Sequence, residues 1–400
     1  MSHRTLDTLH NAVSEPERED TRKGEQTLRA VAFHLPQFHP IAENDEWWGK
    51  GFTEWTNVVR ARPRFPGHFQ PHLPADLGFY DLRLPEARRA QAELAGSYGI
   101  YGFCYYHYWF NGRRLLERPV NEIWKMGEPD FPFCLCWANE NWTRRWDALE
   151  SEILMKQEYG LDDDLDHIRG LIPLFADHRY IHVQGKPLFL VYRASRLPQP
   201  QRTTELWRRE AEKAGFKGLF LVRVEGYDEP GDPFSLGFDA SVGFPPRWPR
   251  VSRIYRQKWW HIRRLGTAEP GIRENHVHDY AELVRNALAD PIPPYPRIPC
   301  VCPGWDNSPR RSRDACIFIN STPEKYEFWL TEIANRLKER MLSDGTSGIS
   351  PSSLVFINAW NEWAEGNHLE PCQKWGRKYL DATRRALQGQ VSRSLASAND

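Results

Sequence analysis

Glu362 and Glu365 stand three residues apart in the run Trp360-Asn361-Glu362-Trp363-Ala364-Glu365, late in a chain of 400 residues. Glycoside cleavage commonly needs two carboxyl groups, one protonating the leaving oxygen and the other acting as base or nucleophile. These two form the candidate catalytic pair. In a regular strand, residues i and i+3 point to opposite faces. Both glutamates can therefore reach one site only if the chain turns between them. Trp363 could shield one of the pair, because an apolar neighbour raises a carboxyl pKa and keeps an acid protonated.

Other apolar segments finish in similar words. His34 and Gln37 close one. Tyr105-Tyr106-His107-Tyr108-Trp109 closes a second, and Trp137-Ala138-Asn139-Glu140-Asn141-Trp142 a third. Arg223 and Glu225 end another, and Trp305-Asp306-Asn307 yet another. The chain carries 17 Trp, clustered with Asn, Glu, Asp and His, where pure core packing would favour Leu, Ile and Val. An indole face packs against sugar C–H groups while amides and carboxylates take the hydroxyls. The expected glycan-binding set is therefore His34, Gln37, Tyr106, His107, Trp109, Trp137, Asn139, Glu140, Asn141, Trp142, Glu225, Trp305, Asp306, Asn307, Trp360, Asn361 and Trp363. Taken singly, any of them could instead close the core or cap a loop.

Such endings do chemistry together only if the fold brings them to one face. Eight short β-rich segments recur: Leu28–Phe38, Gly99–Trp109, Phe131–Asn139, Pro187–Arg193, Gly218–Glu225, Phe238–Phe244, Ile298–Trp305 and Leu354–Trp360. Most are apolar on both faces, the mark of buried parallel strands. Helical stretches alternate with them, at Pro85–Tyr98, Asp163–Phe175, Thr203–Ala214, Asp279–Leu288, Pro323–Arg340 and Trp375–Leu387. Alternation implies a parallel sheet, and eight strands favour an α/β fold of the (β/α)8 TIM-barrel type. The turn after the first segment, Leu35-Pro36-Gln37-Phe38-His39-Pro40, has no glycine, and no G-x-G-x-x-G or P-loop occurs, which disfavours an open nucleotide-binding sheet. Two connections, Pro40–Leu84 and Pro245–His278, exceed what a barrel needs. Both follow strand C-termini, the side where barrel active sites form.

Composition narrows the class. Formal net charge is zero, against nucleic acid or an anionic membrane as main partner. The seven Cys are odd in number and scattered, and Cys134/Cys136 and Cys300/Cys302 read as small core residues rather than metal knuckles. Residues 1–27 read as a disordered leader without a signal-peptide apolar stretch, 28–388 as the barrel and 389–400 as a disordered tail. No apolar run is long enough for a transmembrane helix, and a cytoplasmic location is expected. Asp162-Asp163-Asp164 reads as a helix start, His276 and His278 as surface histidines, and Arg144 and Arg145 as either sugar-carboxylate readers or loop braces. The basic stretch Arg247–Arg264 reads as a solvated loop that could hold an anion. No metal and no cofactor are expected. The oligomeric state is left open.

Several long words carry a family resemblance. They are Phe33-His34-Leu35-Pro36-Gln37-Phe38-His39-Pro40, Glu46-Trp47-Trp48-Gly49-Lys50-Gly51-Phe52-Thr53-Glu54-Trp55-Thr56-Asn57, Gly102–Phe110, Trp137–Trp142, Pro303-Gly304-Trp305-Asp306-Asn307 and Asn358–Gly366. From roughly Leu28 to Leu387 the chain resembles the WbsX-like family of bacterial polysaccharide-locus proteins, often labelled glycosyltransferases. That family is similar in turn to glycoside hydrolase family 99, the endo-α-mannosidases and endo-α-mannanases, which are (β/α)8 barrels sharing the Asn-Glu-Trp-x-Glu word. The resemblance adds Trp48, Glu54 and Trp55 to the binding set. It also implies unequal roles. Glu362 would deprotonate the sugar 2-hydroxyl, which attacks C1 to give an anhydro-sugar, and Glu365 would serve as acid and then base. After the shared word, Gly366-Asn367-His368-Leu369-Glu370 departs from family 99, where a Gly-Thr-Gln-type run is favoured.

Three functions follow as alternatives. The first is a retaining glycoside hydrolase acting on an α-linked bacterial oligo- or polysaccharide. The second is a glycosyltransferase of O-antigen, lipopolysaccharide or capsule synthesis, and the third a non-catalytic glycan-binding barrel.

Overall fold

A computed structural model describes residues 27–144, 149–226, 231–246, 274–344 and 348–389. The leader as far as Gln26, most of the tail, Arg145 and the Arg247–Arg264 stretch lie outside the described residues.

The eight anticipated strands form. They are β1 (Arg29–His34), β2 (Ile100–Phe110), β3 (Phe133–Trp137), β4 (Lys186–Val191), β5 (Phe220–Glu225), β6 (Ala240–Gly243), β7 (Arg297–Ile298 and Cys300–Val301) and β8 (Leu354–Ile357). Neighbours in the chain pair in parallel from β1 to β6, and β1 also pairs with β8. Pro299 splits β7, since proline has no N–H to give the ladder. The first half of β7 pairs with β6 and the second with β8, which closes the (β/α)8 barrel. The Pro299 carbonyl still accepts the Phe356 N–H at 2.9 Å.

Helices wrap the barrel where the periodicity places them, starting within about three residues of expectation. These are α3 (Pro85–Ser97), α5 (Leu161–Phe175), α6 (Pro200–Lys213), α7 (Tyr280–Leu288), α8 (Pro323–Asp344) and α9 (Lys378–Gln388). The long connection after β1 folds into two short helices that the sequence reading leaves as loop, α1 (Ala42–Trp48) and α2 (Glu54–Arg60). A further short helix, α4 (Arg118–Met126), follows β2. Asp162, Asp163 and Asp164 occupy the first turn of α5, where acidic side chains complement the helix N-terminus.

Period-two alternation splits each strand between the barrel interior and the helices. Phe33, Tyr106, Phe244 and Phe356 meet inside, with ring centroids 5.2 to 5.7 Å apart. All seven cysteines are buried and free. His278 corrects the surface reading: it is 4% exposed and stacks on Phe318 at 5.0 Å. Among the described residues no helix is long and apolar enough to cross a membrane.

Strand β2 runs so close to the β3 entry that Gly102 is obligatory. A methyl there would lie 2.5 Å from the Pro132 carbonyl oxygen and 3.1 Å from Ile181. Gly102→Ala should destabilise the fold by about 2 kcal/mol, read as a lower urea midpoint at unchanged slope.

Candidate active site

The strand ends open into a cavity of about 530 Å3, within the range of small-ligand sites. Glu362 ends the two-residue strand Asn361–Glu362, and the chain then turns through a 3-10 segment, Trp363–Glu365. That turn resolves the facing problem, and both glutamates line the cavity. Gly366 completes it at φ 55°, with room for a Cβ only 3.0 Å from that of Asp306.

Arg310 stands between the two glutamates. Its Nη2 lies 2.8 Å from Glu362 Oε2, its Nη1 2.7 Å from Glu365 Oε1, and its Nε 2.7 Å from Glu54 Oε1. One guanidinium thus faces three carboxyls in a largely buried setting. Removing charge from water is costly, so such a cluster retains a proton that surface glutamates would lose. Burial pushes the Glu362 carboxyl up to about 8; Arg310 opposes this, while Glu365 and Glu54 reinforce it. Glu365 is raised by burial as well, again against Arg310. Burial works against the charge of Arg310, but the three carboxyls outweigh it and hold the guanidinium well above its ordinary range. Both carboxyls are therefore held above the ordinary glutamate range, and the titration of each depends on the other.

Alternation decides which expected residues reach the cavity. Gln37, Trp48, Tyr106, Glu140, Asn141, Trp142, Trp305 and Asn307 line it. His107 and Trp109 do not: one position out of phase with Tyr106, they point outward to α5. His107 meets His167 at 2.9 Å, and the Trp109 indole donates to Asp163 at 2.9 Å. Trp137 faces the same way, against His167 and Trp207. His34 turns to Gln91 of α3 at 3.2 Å, and Trp360 packs on Phe103. Asn139 ties Tyr159 to the backbone of Arg193. Glu225 is buried beside Arg223 and accepts the Tyr295 hydroxyl at 2.9 Å. Asp306 lies behind the wall, holding His68 and Gln70. Glu54 is not in the cavity wall; it meets the site through its ion pair with Arg310 and through its charge on the two glutamates. Trp55 packs on Phe38, Tyr80 and Trp363.

Asn361 and Trp363 are also corrected. The Asn361 amide accepts the Leu35 N–H at 2.7 Å and donates to the Leu35 carbonyl at 3.0 Å, locking the end of β1 to the glutamate segment. The Trp363 indole shields neither catalytic candidate; it donates to Glu370 at 2.6 Å and stacks on His368 at 3.8 Å. Glu370 also accepts the Gln91 amide at 2.7 Å and the Tyr80 hydroxyl at 2.9 Å. Burial nevertheless lifts it to about 7.

The sequence reading missed Arg310, Tyr108, Tyr192, Asn44 and Trp47 in the cavity wall, and His276, which it put on the surface. Arg310 sits three residues beyond Asn307, and paired buried carboxyls call for a cation, so a signal existed. Tyr108 follows from Tyr106 by alternation. Asn44, Trp47 and Trp48 share a face of α1 at i, i+3 and i+4. Asn44 is 1% exposed, and among the described residues neither amide atom has a hydrogen-bond partner. Among the described residues no three His, Cys, Asp or Glu side chains form a metal-ligating group.

A family model described as Glycosyltransferase WbsX matches residues 30–383. The chain belongs to the WbsX family. Uncharacterized protein WxcX of Xanthomonas campestris pv. campestris, in strains B100 and ATCC 33913, is 45% identical over 364 residues, 90% of this chain and 50% of that protein. The WbsX chain described here thus spans about half the length of the curated relatives it matches. Among solved structures, a glycoside hydrolase-like protein superposes with TM-score 0.55 at 13% identity, covering 91% of this chain and 94% of that one. The GH99 endo-alpha-mannosidase from Bacteroides thetaiotaomicron, in complex with BIS-TRIS-propane, superposes with TM-score 0.50 at 14% identity, covering 90% and 96%. At these identities the likeness is one of fold. The protein is a WbsX-family member on a barrel fold shared with a GH99 endo-alpha-mannosidase.

Burial raises Glu370 from 4.5 to about 7 in the folded state, so its contribution to stability is full at low pH and is lost as pH rises through that interval. Glu370→Gln removes the titration. Between pH 4.5 and 7 the stability difference should move in favour of the variant, by at most about 1.4 kcal/mol per pH unit. Paired urea melts across that range check the trend; a flat difference would contradict it.

Proposed function

We propose that the protein is a retaining glycoside hydrolase that cleaves an α-linked bacterial glycan at Glu362 and Glu365. The observation that carries this reading is the Arg310 cluster: two glutamates on one guanidinium, in the wall of a cavity faced with Trp47, Trp48, Trp142, Tyr106 and Tyr108. Three carboxyls around one cation leave the cluster short of positive charge, which suits a reaction that builds positive charge at the anomeric carbon. Burial raises both carboxyls, Glu362 to about 8, so the proposed route runs from the form in which Glu362 has lost its proton and Glu365 holds one, a form that grows as pH rises toward that value.

The family 99 resemblance supports the division of roles. Glu362 takes the proton of the sugar 2-hydroxyl as that oxygen bonds to C1. The bond from C1 to the leaving oxygen breaks, and Glu365 gives that oxygen its proton. Water then gives a proton to Glu365 as it attacks C1. The O2–C1 bond opens, and O2 recovers the proton held by Glu362. Of the two side chains Glu365 is the more exposed, at 20% against 7%, in keeping with a group that serves first the leaving oxygen and then water.

The family description as a glycosyltransferase favours a second reading, in which the same cavity passes a glycosyl group to an acceptor hydroxyl. Incubation with bacterial polysaccharides and no nucleotide sugar separates the two. Release of reducing oligosaccharide is expected, with the first-formed anomer retained by proton NMR. Glu362→Gln and Glu365→Gln should each cut release by about 100-fold or more at unchanged melting behaviour. Full activity in either variant, or an inverted first product, defeats the proposed mechanism. Liberation of UDP, GDP or CMP from a donor sugar would establish transfer instead.

A further inference from the structure

The connection between β1 and α3 does more than line the cavity. Three of its side chains reach the segment that carries Arg310. Arg64 donates to three consecutive-turn carbonyls, from Nη1 to Ser312 at 2.9 Å and from Nη2 to Ser308 at 3.1 Å and Arg311 at 2.5 Å. His68 accepts the Arg64 backbone N–H on Nδ1 at 2.9 Å. That bond assigns the proton of a neutral His68 to Nε2, which donates to Asp306 Oδ2 at 2.7 Å. Gln70 Nε2 donates to the same oxygen at 2.6 Å.

Asp306 connects this group to both halves of the site. Its Oδ1 accepts the Ser308 N–H at 3.0 Å, at the start of the Ser308–Arg310 turn. Its own N–H donates to the Glu365 carbonyl at 2.6 Å. His68 and Asp306 are 7% and 6% exposed, and the Phe65 ring stacks on His68 at 4.8 Å. Burial alone would raise the Asp306 carboxyl. Its hydrogen bonds, that from His68 foremost, hold it below its ordinary value, so it stays an ionised acceptor.

We propose that Arg64, acting directly, and His68 and Gln70, acting through Asp306, are positioning residues that clamp the 308–312 turn and so hold the Arg310 guanidinium against Glu54, Glu362 and Glu365. The clamp touches neither the reacting carboxyls nor the cavity. Its side chains act on them through the distance from the guanidinium to the carboxylates, while the Asp306 N–H holds the Glu365 backbone. A cation at contact lowers carboxyl pKa values by about one to three units. Loosening the turn lets that counterweight drift, and the pair then titrates at higher pH. The charged and titratable groups around the pair are Arg310, Arg311, Glu54, Tyr106 and Tyr108. On the far side, His68 and Asp306 face His72, which also senses Lys374. Of these, Arg310 and its neighbour Arg311 lie on the clamped turn, and only Arg310 contacts the carboxyls.

The consequence for turnover rests on the hydrolase reading, but the test needs no glycan. The full chain, labelled with 13C at glutamate carboxyls, is titrated by NMR, with Glu362→Gln and Glu365→Gln assigning the two signals. His68→Ala and Arg64→Ala should each raise the titration of the pair by about one unit. His68→Gln should restore most of the shift, because its amide N–H can reach the Asp306 oxygen. If His68→Ala fails to fold, Arg64→Ala carries the test, since its side-chain partners here are backbone carbonyls. A folded Ala variant of either residue that titrates like the parent overturns the proposal. A shifted pair in a protein that releases no sugar would support the clamp and count against the hydrolase.

Discussion

A single guanidinium makes the centre of this molecule possible. Three carboxyls cannot share a buried space without a cation among them, because their desolvation and mutual repulsion would scatter them or protonate them all. Arg310 meets each at 2.7 to 2.8 Å. Its partners come from α2 and from the turn after β8, and Arg310 itself from the turn after β7. These connections converge because the barrel closes: β1 pairs with β8, and β8 with the second half of β7. An open sheet would leave the arginine on one edge and Glu54 on the other. Barrel closure at Pro299 and the charge cluster are thus one constraint seen at two scales.

Around that centre lies a shell of polar contacts that faces away from the cavity. Asn361 locks Leu35, Glu370 gathers Trp363, Gln91 and Tyr80, and Asp306 gathers His68, Gln70 and the Ser308 N–H. Each buried acceptor is matched by donors from a different element, so the shell resists slippage of one connection against another. The cavity wall is built differently. Its aromatics pack edge to face, as Trp47 on Trp142 at 5.8 Å and Tyr108 on Trp142 at 5.1 Å, and they leave indole and phenol surface toward the interior. The amide of Asn44, unpartnered among the described residues, adds a polar point to this wall.

Much of this was legible from residue order. Eight buried strands, the helices between them and the turn at Glu362–Glu365 follow from apolar runs, helix-start signals and the need for two carboxyls to share a side. The words ending in Trp, Asn and Glu do mark the strand ends that open into the cavity. Each word, however, is not a unit on the strand. In Tyr105–Trp109 alternate residues go opposite ways, so Tyr106 and Tyr108 face the cavity while His107 and Trp109 pack under α5. The same rule sends Trp137, Glu225 and Asp306 outward beside neighbours that face in.

The sequence by itself determined the class of fold, the pair of glutamates and the aromatic character of the cavity, because periodicity and residue chemistry are local properties written in order along the chain. Tertiary structure alone decided which polar residue became wall, brace or counter-ion. Glu54 and Arg310 are 256 positions apart, and Glu370 and Gln91 are 279 apart. Such pairings depend on which strand ends meet when the barrel closes, and no local pattern encodes them. Two glutamates three residues apart are written in the sequence; that an arginine from another strand end holds and tunes them is decided only by the fold.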